Sequence, residues 1–131
     1  MDVASPVRQL FPLYVVENLS LQIDFYKRYF SFSLIFHSEH YVHLVNDSGA
    51  QLAFMSPNQK DRPNHMRNTY TSGGAILSFE VDDAQYEFER LSNEDITIVS
   101  PYTEEKWGYK HFLVQDPSNI IIDIVCSSID H

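Results

Sequence analysis

The sequence predicts an α+β fold made of two βαβββ modules, and three observations predict it. Two helix-capping signals stand in matching places, a closing polar turn recurs, and short aromatic or β-branched runs separate them. Val16-Glu17-Asn18 reappears 65 residues on as Val81-Asp82-Asp83. Val45-Asn46-Asp47 reappears 69 residues on as Val114-Gln115-Asp116. The growing offset is assigned to longer loops in the second half, where insertions cost little.

Each element has a local reason. Leu10 to Val16 is an apolar, aromatic run and reads as a strand. Asn18 offers an N-cap, and Leu19, Ile23, Tyr26 and Phe30 follow at helical spacing. Phe32 to Phe36, Tyr41 to Val45 and Gln51 to Met55 read as strands, separated by His37-Ser38-Glu39 and Asn46-Asp47-Ser48-Gly49. In the second module Ala75 to Val81 is a strand, Asp83 a cap, and Ala84 to Leu91 a short amphipathic helix. Ile96 to Val99, Tyr102 to Glu105, Tyr109 to Val114 and Ile120 to Cys126 supply the remaining strands. The expected organisation is a single domain, residues 1–131. Module 1 covers about 8–56, a polar linker 57–73, and module 2 about 74–128.

Composition narrows the function classes. The chain has 131 residues, 44% of them hydrophobic, enough for one core. Its 18 acids against 9 Lys and Arg give a net charge of −9, which repels phosphate backbones and argues against nucleic acid as a partner. No apolar run approaches the roughly 18 residues a membrane span needs, and no leader is expected before the first strand. The lone Cys126 lies between apolar neighbours as an inert thiol, which fits a cytoplasmic location.

Strand alternation sorts the second module's side chains onto two faces. Leu77, Phe79, Val81, Phe112, Val114, Ile122 and Ile124 go under the helix. Ile76, Ser78, Glu80, Tyr109, His111, Leu113, Ile121, Asp123 and Val125 take the other face. A one-residue slip would bury Glu80 and Asp123 under the helix, so the register is strongly specified. Asp123 stands among isoleucines, a costly place for a carboxylate unless it binds something or faces a wet cavity. A polar set on one sheet face is a plausible pocket lining. Phe11 and Trp107 are candidate platforms for a planar ligand, Tyr14 a core residue, and His111 a ligand-binding donor or general base, with a satisfied structural histidine as the equal alternative. His37, His40 and His43 read as ordinary hairpin histidines, because a strand points His40 and His43 to opposite sides. His65-Met66-Arg67-Asn68 reads as exposed connector, with a lid as the functional alternative.

The duplicated βαβββ pattern and the tract Trp107-Gly-Tyr-Lys-His-Phe-Leu-Val-Gln-Asp-Pro-Ser-Asn119 resemble the vicinal oxygen chelate superfamily. That group holds glyoxalase I, extradiol dioxygenases, fosfomycin-resistance enzymes and bleomycin-resistance proteins. The resemblance runs from about Leu10 to Ser127 and looks most like the glyoxalase/bleomycin-resistance branch. It implies curled mixed sheets around a cleft, with helices outside, and a homodimer. It also implies metal ligands, usually two His and two Glu, on the first and last strand of each module. Those positions fall here on Phe11, Ala53, Ile76 and Asp123, with Ala53 reached by allowing the first module a shorter turn. The Asp116-Pro117-Ser118-Asn119 turn lacks the family's extra Gly, which leaves the frame of Asp123 open by one residue.

One carboxylate cannot hold a catalytic divalent ion, so no metal and no cofactor are expected. The expectation is a metal-independent protein that binds a small aromatic or cationic molecule without chemistry. Its ligand-binding residues would be Phe11, Ser78, Glu80, Trp107, Tyr109, His111 and Asp123. The alternative is a lyase, isomerase or dioxygenase of the same superfamily with a displaced metal site, using His111, Asp123 and Glu80.

Overall fold

A computed structural model describes residues 3–127, so residue 128, the expected end of module 2, lies outside the described residues. The chain divides into two compact units, Met1–Tyr70 and Thr71–His131. Unit one contains β1 (Leu13–Val15), α1 (Leu19–Phe30), β2 (Ser33–Ser38), β3 (Tyr41–Val45) and β4 (Gln51–Met55). Unit two contains β5 (Ile76–Glu80), α2 (Ala84–Ser92), β6 (Thr97–Glu104), β7 (Tyr109–Gln115) and β8 (Ile121–Ser127). The sheets run β1-β4-β3-β2 and β5-β8-β7-β6, each with one parallel pair at the end holding its first strand. The α+β fold of two βαβββ units is therefore the fold that the sequence predicts.

Both caps form as read. The Asn18 carboxamide accepts the Leu21 N–H at 3.0 Å, and the Asp83 carboxylate accepts the Tyr86 N–H at 3.0 Å. The buried stripe of α1 is Gln22, Phe25, Tyr26 and Tyr29. It lies one residue off the expected stripe, which shares only Tyr26 with it. Replacing Asn18 by Ala orphans a helix-end donor. Asn18→Ala is expected to cost about 1 kcal/mol, read as a lower urea midpoint with the slope unchanged.

The cores are made as alternation predicts. In unit one Val42, Leu44, Leu52 and Phe54 are buried, and Phe54 stacks on Tyr26 of α1 with ring centroids 5.5 Å apart. Tyr14 stacks on Phe54 and is half-buried at the edge of that core. In unit two Phe112, Val114, Ile122 and Ile124 are buried, with Phe112 edge-on to Phe88 of α2 at 5.2 Å. Cys126 is buried, and its sulfur lies 3.5 Å from the Ala84 N–H.

Three expectations are corrected. The strand at the start is shorter than Leu10 to Val16, because Leu10 stands exposed outside the sheet. Residues 97–104 form one strand rather than two, bent by register shifts between Ile98 and Ser100 and between Ser100 and Thr103. Pro101 is tolerated there because β6 is the sheet's edge.

The third correction concerns the closing turns. Asn46 and Asp116 are the matched residues, 70 apart. In unit one Asn46 Oδ1 accepts Ser48 and Ala50 N–H groups at 3.0 and 2.9 Å. In unit two Asp116 Oδ1 accepts Ser118 and Ile120 N–H groups at 2.8 and 3.0 Å. The left-handed position falls to Gly49 (φ 91°) in one and to Asn119 (φ 69°) in the other. Asn replaces Gly because its short polar side chain tolerates this conformation. Neither turn is shortened, so Ala53 and Asp123 are equivalent without adjustment.

The segment expected as linker is folded on itself and joins β1 near its end, at Tyr70. A 3₁₀ turn spans Asn64–Met66. The Arg67 guanidinium donates to the Arg62 and Lys60 carbonyls at 2.6 and 2.8 Å. Tyr70 N–H donates to the Val15 carbonyl at 2.8 Å, while its ring meets Tyr14 edge-on.

Candidate functional site

In unit two, β5 and β8 pair in parallel with Ser78 opposite Asp123 and Glu80 opposite Val125. Strands β7 and β8 pair antiparallel, with Leu113 opposite Asp123 and His111 opposite Val125. Because opposite residues share a face, Ile76, Ser78, Glu80, Tyr109, His111 and Asp123 occupy the face away from α2. The register puts Asp123 on the face that strand alternation predicts.

Two of these residues meet directly. His111 Nδ1 lies 2.8 Å from Asp123 Oδ1, a diagonal contact between neighbouring strands. The other ring nitrogen, Nε2, lies 3.0 Å from Glu105 Oε2. Only an imidazolium donates from both nitrogens at once, so this geometry selects the charged ring. The His111 pKa is accordingly raised, first by the hydrogen bond to Glu105, against an opposing effect of burial, then by the hydrogen bond and charge of Asp123. All three side chains are largely but not fully enclosed, which leaves the cluster open to solvent on one side.

Glu105 brings its carboxylate to His111 through a tight turn. Glu105 N–H donates to the Tyr109 carbonyl at 2.7 Å, and Gly108 N–H donates to the Glu105 carbonyl at 3.1 Å. Gly108 adopts φ 104°, a conformation costly for any residue with a Cβ. The Trp-Gly of the sequence motif is thus the tip of the β6–β7 hairpin. Trp107 is 62% exposed and Tyr109 46% exposed, with ring centroids 6.2 Å apart. Glu80 and Ser78 are exposed on the same face, outside the His111 cluster.

Unit one carries a different set at equivalent positions. Phe11 lies edge-on to His43 with centroids 4.4 Å apart. His43 Nε2–H donates to Gln51 Oε1 at 2.7 Å, and its Nδ1 accepts the Tyr41 hydroxyl at 3.1 Å. Burial pushes the Tyr41 phenol up, which keeps it a neutral donor. The Tyr41 ring continues to Phe36 on β2, centroids 5.9 Å apart. Ala53, opposite His43, is fully buried.

Sequence reasoning missed Glu105 and His43 as parts of these sets. Glu105 had one usable signal: Gly108 closes a turn whose first residue must lie back over the strand that follows. His43 had another, since it alternates with Tyr41 and crosses to Gln51.

The residues do not fit the metal that the resemblance implies. Phe11, Ala53 and Ile76 offer no lone pair. Asp123 Oδ1 accepts from His111, and the two carboxylates sit at opposite ends of one ring instead of converging. Among the described residues no group of three or more His, Cys, Asp or Glu is arranged to hold a metal ion. Asp123 is an imidazolium partner in this chain.

Similar solved structures include a glyoxalase/bleomycin resistance protein/dioxygenase from Nocardioides (TM-score 0.79, 14% identity, covering 96% of this chain and 86% of that one). A glyoxalase-related enzyme from Fulvimarina pelagi matches with TM-score 0.73 and 19% identity, covering 92% and 89%. TioX from Micromonospora sp. ML1 matches with TM-score 0.70 and 17% identity, covering 92% and 99%. At these identities the likeness shows the fold. A search of curated proteins finds no match. Among the described residues no helix is long and apolar enough to cross a membrane. Residues 9–124 match a family domain, and the chain therefore belongs to the Glyoxalase/Bleomycin resistance protein/Dioxygenase superfamily.

Proposed function

We propose that this protein binds a small planar organic cation on the open face of its second sheet, without a metal ion and without chemistry. The observation that carries the reading is the double engagement of His111. Both ring nitrogens are committed to carboxylates, so the ring offers neither a lone pair to a metal nor a free nitrogen as general base. What the face presents to a ligand is aromatic and acidic. Trp107 and Tyr109 expose ring surface, and Glu80, Glu105 and Asp123 supply negative charge, with His111 and the exposed Lys106 of the hairpin tip as the cations of that region. Ring faces next to carboxylates favour an aromatic ammonium through stacking and cation–π attraction. Ser78 adds a hydroxyl beside Asp123. A homodimer and a cytoplasmic location belong to the same reading, the first tested by sedimentation equilibrium.

The test uses matched probes, 2-naphthylmethylammonium and 2-naphthoate, titrated by calorimetry into protein purified without a metal-affinity tag. The ammonium is expected to bind and the carboxylate not to. Trp107→Ala should weaken the ammonium by about tenfold, the size of a partly desolvated cation–π contact. Equal binding of both probes, or of neither, overturns the proposal. So does stoichiometric Zn, Ni, Mn or Fe that is lost on Asp123→Ala, which would restore a lyase, isomerase or dioxygenase with a displaced metal site.

A further inference from the structure

The His111 cluster has a second consequence, at the hairpin tip. Glu105 is the first residue of the turn that carries Trp107, and its side chain reaches back over the strand to His111. Asp123, on the inner strand β8, holds the other nitrogen of the same ring. The chain Asp123–His111–Glu105 therefore ties an exposed turn to the inner strands of the sheet. The tip also carries turn hydrogen bonds and stands at the end of the ladder of an edge strand that is interrupted twice. Hairpin tips with few buried contacts open locally at little cost.

We propose that His111 and Glu105 are positioning residues for the Trp107–Tyr109 platform, holding the β6–β7 tip so that both rings stand ready on the open face. This deepens the binding reading above and rests on it for the ligand, while the ordering of the tip stands without any ligand. A platform fixed in advance binds more tightly than one ordered on contact. The tie also has a direction in pH. When His111 loses its extra proton, one nitrogen becomes an acceptor facing a carboxylate, and one contact is lost. Asp123 keeps its donor, because it sits on an inner strand at the shorter distance, and Glu105, on the exposed turn, is released into water. The other groups around the ring do not compete. Thr103 of β6 and Val125 of β8 lie opposite His111. Glu80 of β5 lies beyond Val125, and Tyr109 precedes His111 on its own face.

Trp107 is the chain's single tryptophan, so its fluorescence reports on the tip alone. Acrylamide quenching and anisotropy are measured on the full chain from pH 5 to pH 9, with the His111 ring titrated in parallel by NMR. The native tip is expected to loosen as the pH rises, with quenching increasing about twofold and following the His111 titration. Glu105→Ala should be loose throughout, with the His111 pKa lowered, and His111→Gln should show no transition. Lys106→Ala, outside the tie, should behave as the native protein. Binding of 2-naphthylmethylammonium should weaken several-fold in Glu105→Ala. Trp107 signals that are the same in the native protein and in Glu105→Ala at every pH overturn the inference. A tip that loosens as expected in a protein that binds no naphthyl probe sinks the binding reading and leaves the positioning intact.

Discussion

Phe112→Ala is expected to remove about 3–5 kcal/mol from the stability of unit two, the largest single loss any side chain there should produce. Phe112 is 1% exposed on the inner strand β7, opposite Ile124 and edge-on to Phe88 of the covering helix. Truncation forfeits the transfer energy of the ring and leaves a hole beside Phe88 and Ile124, in a unit whose core residues are close to fully buried. Phe112→Leu keeps most of the volume and should cost less than half as much. Urea unfolding followed by Trp107, which lies in the same unit, measures both. An equal loss from the two variants would show that shape, not volume, governs this core. A loss under about 1 kcal/mol from Phe112→Ala would show that unit two is not packed as described.

Much of this fold was legible because local chemistry and the buried pattern agree. Asn18 and Asp83 are good caps at the head of apolar helices, and both cap as read. Alternation in β7 and β8 needs only the side-chain period of two, so the faces of His111 and Asp123 followed at once. The turn match failed by one residue because Asp47 resembles Asp116 in type, whereas Asn46 shares its hydrogen bonds. Residue type is a weaker guide than the donors a side chain must serve. The stripe of α1 slipped for a similar reason: Gln22 is polar, so a pattern of apolar residues passes over a side chain that is in fact buried.

The site was legible in part. Placing Asp123, His111, Ser78 and Glu80 on one face required only register. Pairing His111 with Glu105 required knowing that the strand before it ends in a tight turn, and periodicity does not carry that. His43 was dismissed because a strand separates it from His40, which is correct but says nothing of Tyr41, Gln51 and Phe11 around it.

His111 has a raised pKa in the folded chain, held there by Glu105 first and Asp123 after it, against the ordinary value of about 6.5 when unfolded. The folded state therefore binds the proton more tightly than the unfolded state does. That contribution is complete below about pH 6.5 and is lost as the pH rises through the folded value. The native chain should accordingly be more stable than His111→Gln in acid, by about 1–2 kcal/mol after allowance for partial solvent access. The gap should narrow as the pH rises toward 9. Asp123→Ala should behave differently from His111→Gln. It removes one carboxylate but leaves an enclosed imidazole with a bond to Glu105 alone, so it destabilises at acid pH and lowers the His111 pKa at the same time. Paired urea titrations at pH 6 and pH 9 separate the cases. A gap between native and His111→Gln that stays constant across that range would mean that the ring contributes by packing and that its charge is not engaged. A gap that widens with pH would reverse the sign and place the neutral ring, not the imidazolium, between the two carboxylates.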